Sequence, residues 1–410
     1  MTQRRILWVT PKWPLPASDG ARQATSSALR AISKLGEKID LLSFVDQPIS
    51  QSEIRLIEQE LGVKNIFTVI KARPLGRLSR LFNLFRSTLH ISDLPFTVIP
   101  FHILNILEAL DPVKNNSAAW SHVVFDGLHT AASFISNKKR IVLEQSKFIY
   151  RAHNFEANLW QQAAKHAGFI GRTLMLSQKK KIARFEASLV ANCNAVAPVS
   201  PIDLEQLRSA YKISLSKLIP IGFDFSSVPQ NLQKQNNTAI KLLYVGSASW
   251  QPNKDGLLWF LREVWPELSA KRQDISLVVA GRGTEKLIAT FNNLPRIKML
   301  GEVKNLDSIY IESSASIVPI FSGSGTRVKA IEASRFGRVC VSTALGVEGL
   351  PLEQGNSYLR AETKEEWIRI LSAIQSDDLQ EMGLRAYQAL RKDFDTMAVG
   401  RAFINLLDEV

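Results

Sequence analysis

The segment SGSGTRVKAIEA (322–333) follows directly on the apolar run ASIVPIF (315–321). Glycine and small residues let a backbone approach a ligand closely, and the pattern predicts a helix over 325–337 that ends at Gly337. The start of such a helix is an anion site, because its first N–H groups are unpaired and the helix dipole points its positive end there. Arg327 and Lys329 add two cations within the first turn, where they oppose the dipole. An anion relieves that conflict, and a diphosphate is a good candidate. Glu332, one to two turns on, can accept hydrogen bonds from sugar or ribose hydroxyls. The alternative is a glycine loop with a solvated Arg and Lys and a surface Glu.

Other polar groups stand where apolar runs end. AGRGT (280–284) follows ISLVV and sets Arg282 at a strand's carboxyl end, or is simply a turn. VGSASWQPNKDG (245–256) offers Lys254 to a phosphate and Trp250 for stacking, or is a packed loop. YRAHNFEANLW (150–160) brings Arg151, His153, Asn154 and Glu156 out of a buried run, where each needs a partner. His153 reads equally as a structural histidine. FDGLHTAA (125–132) places Asp126 and His129 at another strand end with the same two readings. DFD (393–395) has the form of a metal-binding DxD but precedes a short helix, which favours capping. No His/Asp/Glu cluster has metal-ligand spacing, and there is neither a GxSxG nor a Walker A motif.

Positioning these groups takes two α/β series. Ile6–Thr10, the loop PKWPLPASDGAR (11–22), an amphipathic helix near Gln23–Leu35 and Ile39–Phe44 form strand, loop, helix, strand, the βαβ signature of a doubly wound parallel sheet. Further strands are expected at Val63–Ile70, His122–Phe125, Phe148–Arg151 and Ala195–Val199. The polar stretch PQNLQKQNNTA (229–239) reads as a linker. A second series follows: strands at 241–246, 275–283, 297–303, 315–321 and 338–343, helices at 255–268 and 325–337, and three C-terminal helices. Two such domains can set the carboxyl ends of their strands across a cleft.

A length of 410 residues predicts two or three domains at about 100–200 residues each. With 45% hydrophobic and 22% charged residues, the composition excludes a disordered chain, a collagen and a disulfide-stapled miniprotein. No apolar run approaches the roughly 18 residues of a membrane span, and the apolar stretch after Arg4 and Arg5 is shorter than a signal-peptide core. Cys193 and Cys340 form no CxxC pair, so a reducing cytoplasm is expected, with no metal site. Residues 1–225 hold 29 Lys and Arg against 17 Asp and Glu, the remainder 22 against 21, so nearly all of the +13 net charge sits in the first half. Part of it lies in KARPLGRLSRLFNLFRSTLH (71–90), where Lys71, Arg73, Arg77, Arg80 and Arg86 alternate with leucines and phenylalanines. Each cation near an anionic leaflet is worth about 1 kcal/mol, which suits a peripheral enzyme on the inner face of a membrane; an ordinary core-facing helix is the alternative.

The loop PLPASDGAR (14–22), RAHNFE (151–156), VSPIDLEQL (199–207), PIGFD (220–224), VGSASWQPNKDG, AGRG, GEV (301–303) and GSGTRVKAIEASRFGRVCVSTALGVEGL (323–350) together carry a family resemblance. The chain resembles retaining glycosyltransferases of family 4 (group 1) with the GT-B fold, and is most similar to the bacterial branch that builds cell-surface polysaccharides. The resemblance implies two Rossmann-like domains facing each other across a cleft. Residues 1–225 would bind the acceptor, 226–390 the nucleotide-sugar donor, and 391–410 would form a helix crossing back to the first domain. It implies that Glu332 holds the donor ribose, that Gly323, Ser324, Gly325 and Thr326 face the donor sugar and diphosphate, and that the loop holding Val303 contacts the base. Gly20 would sit over the phosphates, and His153 would reach the transferred sugar. Asp19, Arg22, Asp126, His129, Asn154 and Glu156 are the acceptor-side candidates.

Two positions depart from the family: Ser324 stands where a Glu is common, and Ser247 where an Arg is. Arg327 and Lys329, with Arg282, are expected to supply the phosphate clamp instead. The implied reaction needs no cofactor or metal, and the partners are a nucleotide sugar and a glycan or lipid-linked acceptor, with no nucleic acid. Glu156 and Asp126 are the carboxylates open to a nucleophilic role. Two rivals are a nucleotide-sugar epimerase of the same fold, which would use no acceptor, and a non-catalytic basic binding protein.

Overall fold

The structure, a computed structural model, describes residues 4–17, 19–71, 94–102, 120–135, 145–165, 167–226, 239–291, 293–323 and 325–410. Ser324, the linker residues 229–238 and the basic segment beyond Lys71 lie outside the described residues. The chain divides into two compact units, Met1–Gly222 with Thr396–Val410, and Phe223–Asp395.

The first unit is built on strands β1 (Arg5–Thr10), β2 (Lys38–Val45), β3 (Asn65–Ile70), β4 (His122–Asp126), β5 (Lys147–Arg151) and β6 (Ala195–Val196), all parallel in the order β3-β2-β1-β4-β5-β6. β1, β2 and β4 are apolar on both faces and almost wholly buried, as strands covered by helices on both sides must be. β3, at the edge, is largely exposed. Helix α1 (Gly20–Lys34) starts where the Asp19 carboxylate accepts the Arg22 N–H. Helix α2 (Gln51–Leu61) carries a full capping box between Ser50 and Glu53. Helices α3 (Glu156–Lys165), α4 (Phe169–Asn192) and α5 (Pro201–Ala210) follow β5 and β6. One apolar cluster joins Ile6, Trp8 and Ile32 to Phe403, Leu406 and Leu407 of the last helix, Thr396–Glu409.

The second unit repeats the plan with β7 (Ile240–Val245), β8 (Ile275–Ala280), β9 (Ile297–Gly301), β10 (Ala315–Val318), β11 (Val339–Ser342) and β12 (Tyr358–Arg360), parallel in the order β12-β11-β10-β7-β8-β9. In each sheet the crossovers reverse direction once, between β1 and β4 and between β7 and β10. Ligands in doubly wound sheets bind outside the carboxyl ends of the strands at that switch point.

Three elements differ from the sequence expectation. The helix expected over 255–268 is Gln251–Trp259 (α6), a wider π turn at Phe260–Val264, and Trp265–Lys271 (α7). Pro266 lacks an N–H and its ring crowds the preceding turn, which is a standard cause of such a break. The helix expected from residue 325 starts at Val328 (α8, Val328–Arg335), because Gly323 and Gly325 take φ of 118° and 87°. The strand expected over 195–199 is two residues long and gives way before Pro198, which has no N–H for the ladder.

Candidate functional site

In the first unit, the chain ends of β1, β3, β4 and β5 enclose a pocket of about 270 Å³ at the switch point. Lys12, Arg22, Lys71, His129, His153, Asn154 and Glu156 line it. Behind His153, the fully buried Asp126 carboxylate accepts from the Trp8 indole at 3.0 Å, from the Thr25 hydroxyl, from Arg151 Nη1 at 3.0 Å and from His153 Nε2 at 2.6 Å. Burial opposes its charge, but the charges of His153 and Arg151 and these hydrogen bonds prevail and hold the carboxyl far below the usual range. A carboxylate can only accept, so Nε2 of His153 carries the proton of this pair and Nδ1 is the second ring position. Asp126 thus lies beneath the pocket and holds the His153 ring, with Arg151 as its buried counter-ion.

Two other pocket groups are shifted by burial. His129 is pushed down to about 4 by burial and by the charges of Lys12 and Lys71, so it is a neutral imidazole at pH 7. Its ring packs 5.4 Å from that of Phe101. Glu156, the first residue of α3, is pushed up to about 8 by burial and by the charges of Glu186 and Asp203. Glu186 is itself raised to about 7 by burial, although Tyr150 and Tyr211 donate to it at 3.0 and 3.1 Å. Asp19 caps α1 and binds Arg22 Nη1 at 2.7 Å, and Gly20 opens that helix with no heavy atom within 4 Å of its Cβ position.

In the second unit, the loops after β7, β8 and β9 are laced by backbone bonds, from Gly246 N–H to Ala280 and from Gly281 N–H to Gly301. Gly281 has φ of 138°, and a Cβ there would lie 2.2 Å from the Gly246 carbonyl oxygen, so only glycine fits. Lys329, on α8, reaches across to this loop: its Nζ donates to Asn253 Oδ1 at 2.7 Å, lies 4.7 Å from the Tyr244 ring centre and would stand 2.7 Å from a Cβ at Gly246. Burial pushes this ammonium down to about 7, against the pull of Glu332. Arg327 precedes α8; its Nη2 binds Glu348 Oε2 at 2.6 Å and the Gly323 carbonyl at 3.3 Å. Arg327 Nε and Thr326 Oγ1 are buried and have no hydrogen-bond partner among the described residues. Burial raises Glu332, with Arg335 opposing.

The structure therefore brings Lys329 to Gly246 and Asn253, and Gly323 to Pro252, in the loop and helix start after the switch-point strand β7, whereas the Arg327 guanidinium turns to Glu348 and to the Gly323 carbonyl. Arg282 is exposed after β8, where its carbonyl accepts from Ala248 N–H, and Val303 is half-buried after β9. Ser324 lies outside the described residues. DFD places Asp395 between two helices, and no group of three or more His, Cys, Asp or Glu that could hold a metal occurs among the described residues. Sequence reasoning missed Tyr244, Asn253 and Glu348, did not single out Lys12, and read Lys71 as part of the basic membrane-facing segment 71–90 rather than of a pocket. The last two follow their strands within two residues, the same signal that singled out Arg282.

Residues 239–377 match the family model described as Glycosyl transferases group 1. Among solved structures, Anabaena Alr3699/HepE in complex with UDP and glucose is similar over 100% of both chains, with a TM-score of 0.63 at 12% identity. The S. aureus TarM complex with fondaparinux, alpha-GlcNAc-glycerol and UDP is similar over 99% of this chain and 100% of that one, with a TM-score of 0.65 at 8% identity. The fold is GT-B. The GT-B chain is also 22% identical to the "Uncharacterized 44.6 kDa protein in cps region" of Klebsiella pneumoniae, over 96% of this chain and 97% of that protein. The matched stretch 239–377 contains every donor-side candidate, from Arg282 and Val303 to Glu332, and no residue of the first unit. No described helix is long and apolar enough to cross a membrane.

Proposed function

We propose that the chain is a retaining glycosyltransferase that moves a sugar from a nucleoside-diphosphate donor to a hydroxyl of a glycan or lipid-linked acceptor in cell-surface polysaccharide synthesis. The reading rests on the second unit, whose matched stretch sets Lys329 against the Gly246 loop and, just before α8, leaves Thr326 Oγ1 and Arg327 Nε buried with no hydrogen-bond partner among the described residues. Buried donors without partners at such a place suit a ligand rich in acceptor oxygens. Residues 223–395 would hold the donor, with Glu332 toward the ribose and Val303 and Arg282 flanking. Support for the donor class comes from Anabaena Alr3699/HepE, solved with UDP-glucose, and for the pathway from the cps-region relative.

Charge grows on the leaving diphosphate as the bond from the anomeric carbon to phosphate oxygen breaks. Lys329 is poised for that charge: an anion beside it restores the proton that burial withdraws. Arg327 and the first turn of α8 add to the same field, so fixed protein groups meet the charge without a resident metal. The acceptor oxygen bonds to the anomeric carbon from the face the diphosphate leaves, and its proton passes to the diphosphate. His153, held by Asp126, orients the transferred sugar.

A panel of UDP-, GDP- and ADP-sugars tests this by thermal shift and product analysis. The matching nucleotide at about 100-fold over its Kd should add about 2.7 kcal/mol of stability. Lys329→Ala should keep its fold and lose roughly 10²–10³ in transfer rate. Near-normal turnover in Lys329→Ala, or epimerised donor with no acceptor consumed, would overturn the reading.

A further inference from the structure

The pocket of the first unit has a composition of its own. Three cations reach it from three separate elements: Lys12 after β1, Arg22 on α1 and Lys71 after β3. Their carboxylate partners stand outside the lining: Asp19 serves both Lys12, at 3.3 Å, and Arg22, at 2.7 Å, while Asp46 lies 3.4 Å from Lys71 and is 77% exposed. The Lys71 side chain is only 15% exposed and its Nζ lies 5.4 Å from the Phe101 ring centre, so its ammonium is turned inward along an aromatic wall. Among the described lining residues the one carboxyl is Glu156, and burial, with the charges of Glu186 of α4 and Asp203 of α5 added, pushes it up to about 8, so that it keeps its proton at neutral pH. His129 is neutral there, and its ring closes the apolar side with Phe101.

A neutral sugar needs paired donors and acceptors, with carboxylates to receive its hydroxyls. Beside the neutral Asn154, Thr10 and Thr25, this pocket offers three cations, two imidazoles and a protonated acid, and that excess of donors and positive charge matches an anion carried on a ring that packs against Phe101. Resting on the glycosyltransferase reading above, we propose that this pocket receives an anionic group, a carboxylate or phosphate, borne by the acceptor, with Lys12 and Lys71 as the residues that select it. The same chemistry could come from the donor diphosphate, and the experiment separates the two sources.

The full chain is titrated calorimetrically with glucuronate, glucose 6-phosphate, glucose and UDP, in the wild type and in Lys71→Gln, Lys12→Gln and Lys71→Arg. Lys12 is 46% exposed and Lys71 stands at the sheet edge, so these variants should fold, which circular dichroism checks. The expected result is binding of glucuronate or glucose 6-phosphate at least tenfold tighter than glucose. Each Gln variant should weaken it tenfold or more, Lys71→Arg should retain it, and the UDP affinity should not move. Equal binding of glucose and the anionic sugars overturns the proposal, as does an anion affinity indifferent to both Gln variants. A UDP affinity that falls in step with Lys71→Gln assigns the pocket to the donor and also overturns it. An intact UDP response with no response to either anionic sugar overturns the acceptor assignment and leaves the nucleotide reading standing.

Discussion

The buried Asp126 receives four donors, from Trp8, Thr25, His153 and the Arg151 guanidinium. Removing its charge strands the Arg151 guanidinium, which is fully buried. Breaking a buried pair in this way typically costs about 3–5 kcal/mol. Asp126→Asn should therefore lower the unfolding free energy extrapolated from urea denaturation by an amount in that range. It should also let the His153 ring exchange tautomers, visible in its ring nitrogen shifts, while Thr25→Val changes stability far less. The sequence made Asp126 and His153 legible as polar residues leaving buried strands, but not that one holds the other. That pairing depends on β4 and β5 being neighbours in register, with Asp126 opposite Arg151. Arg327 teaches the same lesson: its partner Glu348 is remote in sequence, and no local spacing announces the pair.

Among the elements, α6 is fixed by contact rather than propensity. A Cβ at Gly256 would lie 1.7 Å from the Pro319 carbonyl oxygen, just beyond β10. Alanine is ordinarily the better helix former by about 1 kcal/mol. Gly256→Ala should instead destabilise by about 1–3 kcal/mol, since helix and strand must part. Denaturant unfolding checks the sign, and donor binding should weaken with it, because α6 carries the Asn253 that holds Lys329. Strands with continuous apolar runs, such as LLYV and ISLVV, were readable because burial on both faces leaves no other composition. The three-residue β12 was not, being shorter than any usable period.

At the scale of the molecule, both units use one strand order, so the doubly wound class was legible from alternating strands and helices. The buried acids of the first unit give the whole chain a pH signature. Folding raises Glu156 from 4.5 to about 8, so the folded chain keeps a proton that the unfolded chain releases between those values. The stability this proton confers is complete below about pH 4.5 and is lost as pH rises through about 8. Relative to the wild type, Glu156→Gln should gain almost nothing below pH 4.5 and on the order of 5 kcal/mol by pH 9, measured as the difference between their unfolding curves.

Helix Thr396–Glu409 has a bearing on biosynthesis. The Phe403 ring packs, tilted, 5.4 Å from that of Trp8, and Val399, Leu406 and Leu407 fill the same cluster as Ile6 and Ile32. A nascent polypeptide emerging from the ribosome therefore cannot seal its earliest-made domain until residues 223–395 have followed it out of the exit tunnel. Throughout that interval the apolar side of β1 and α1 lacks the helix that covers it in the finished chain, an invitation to chaperones.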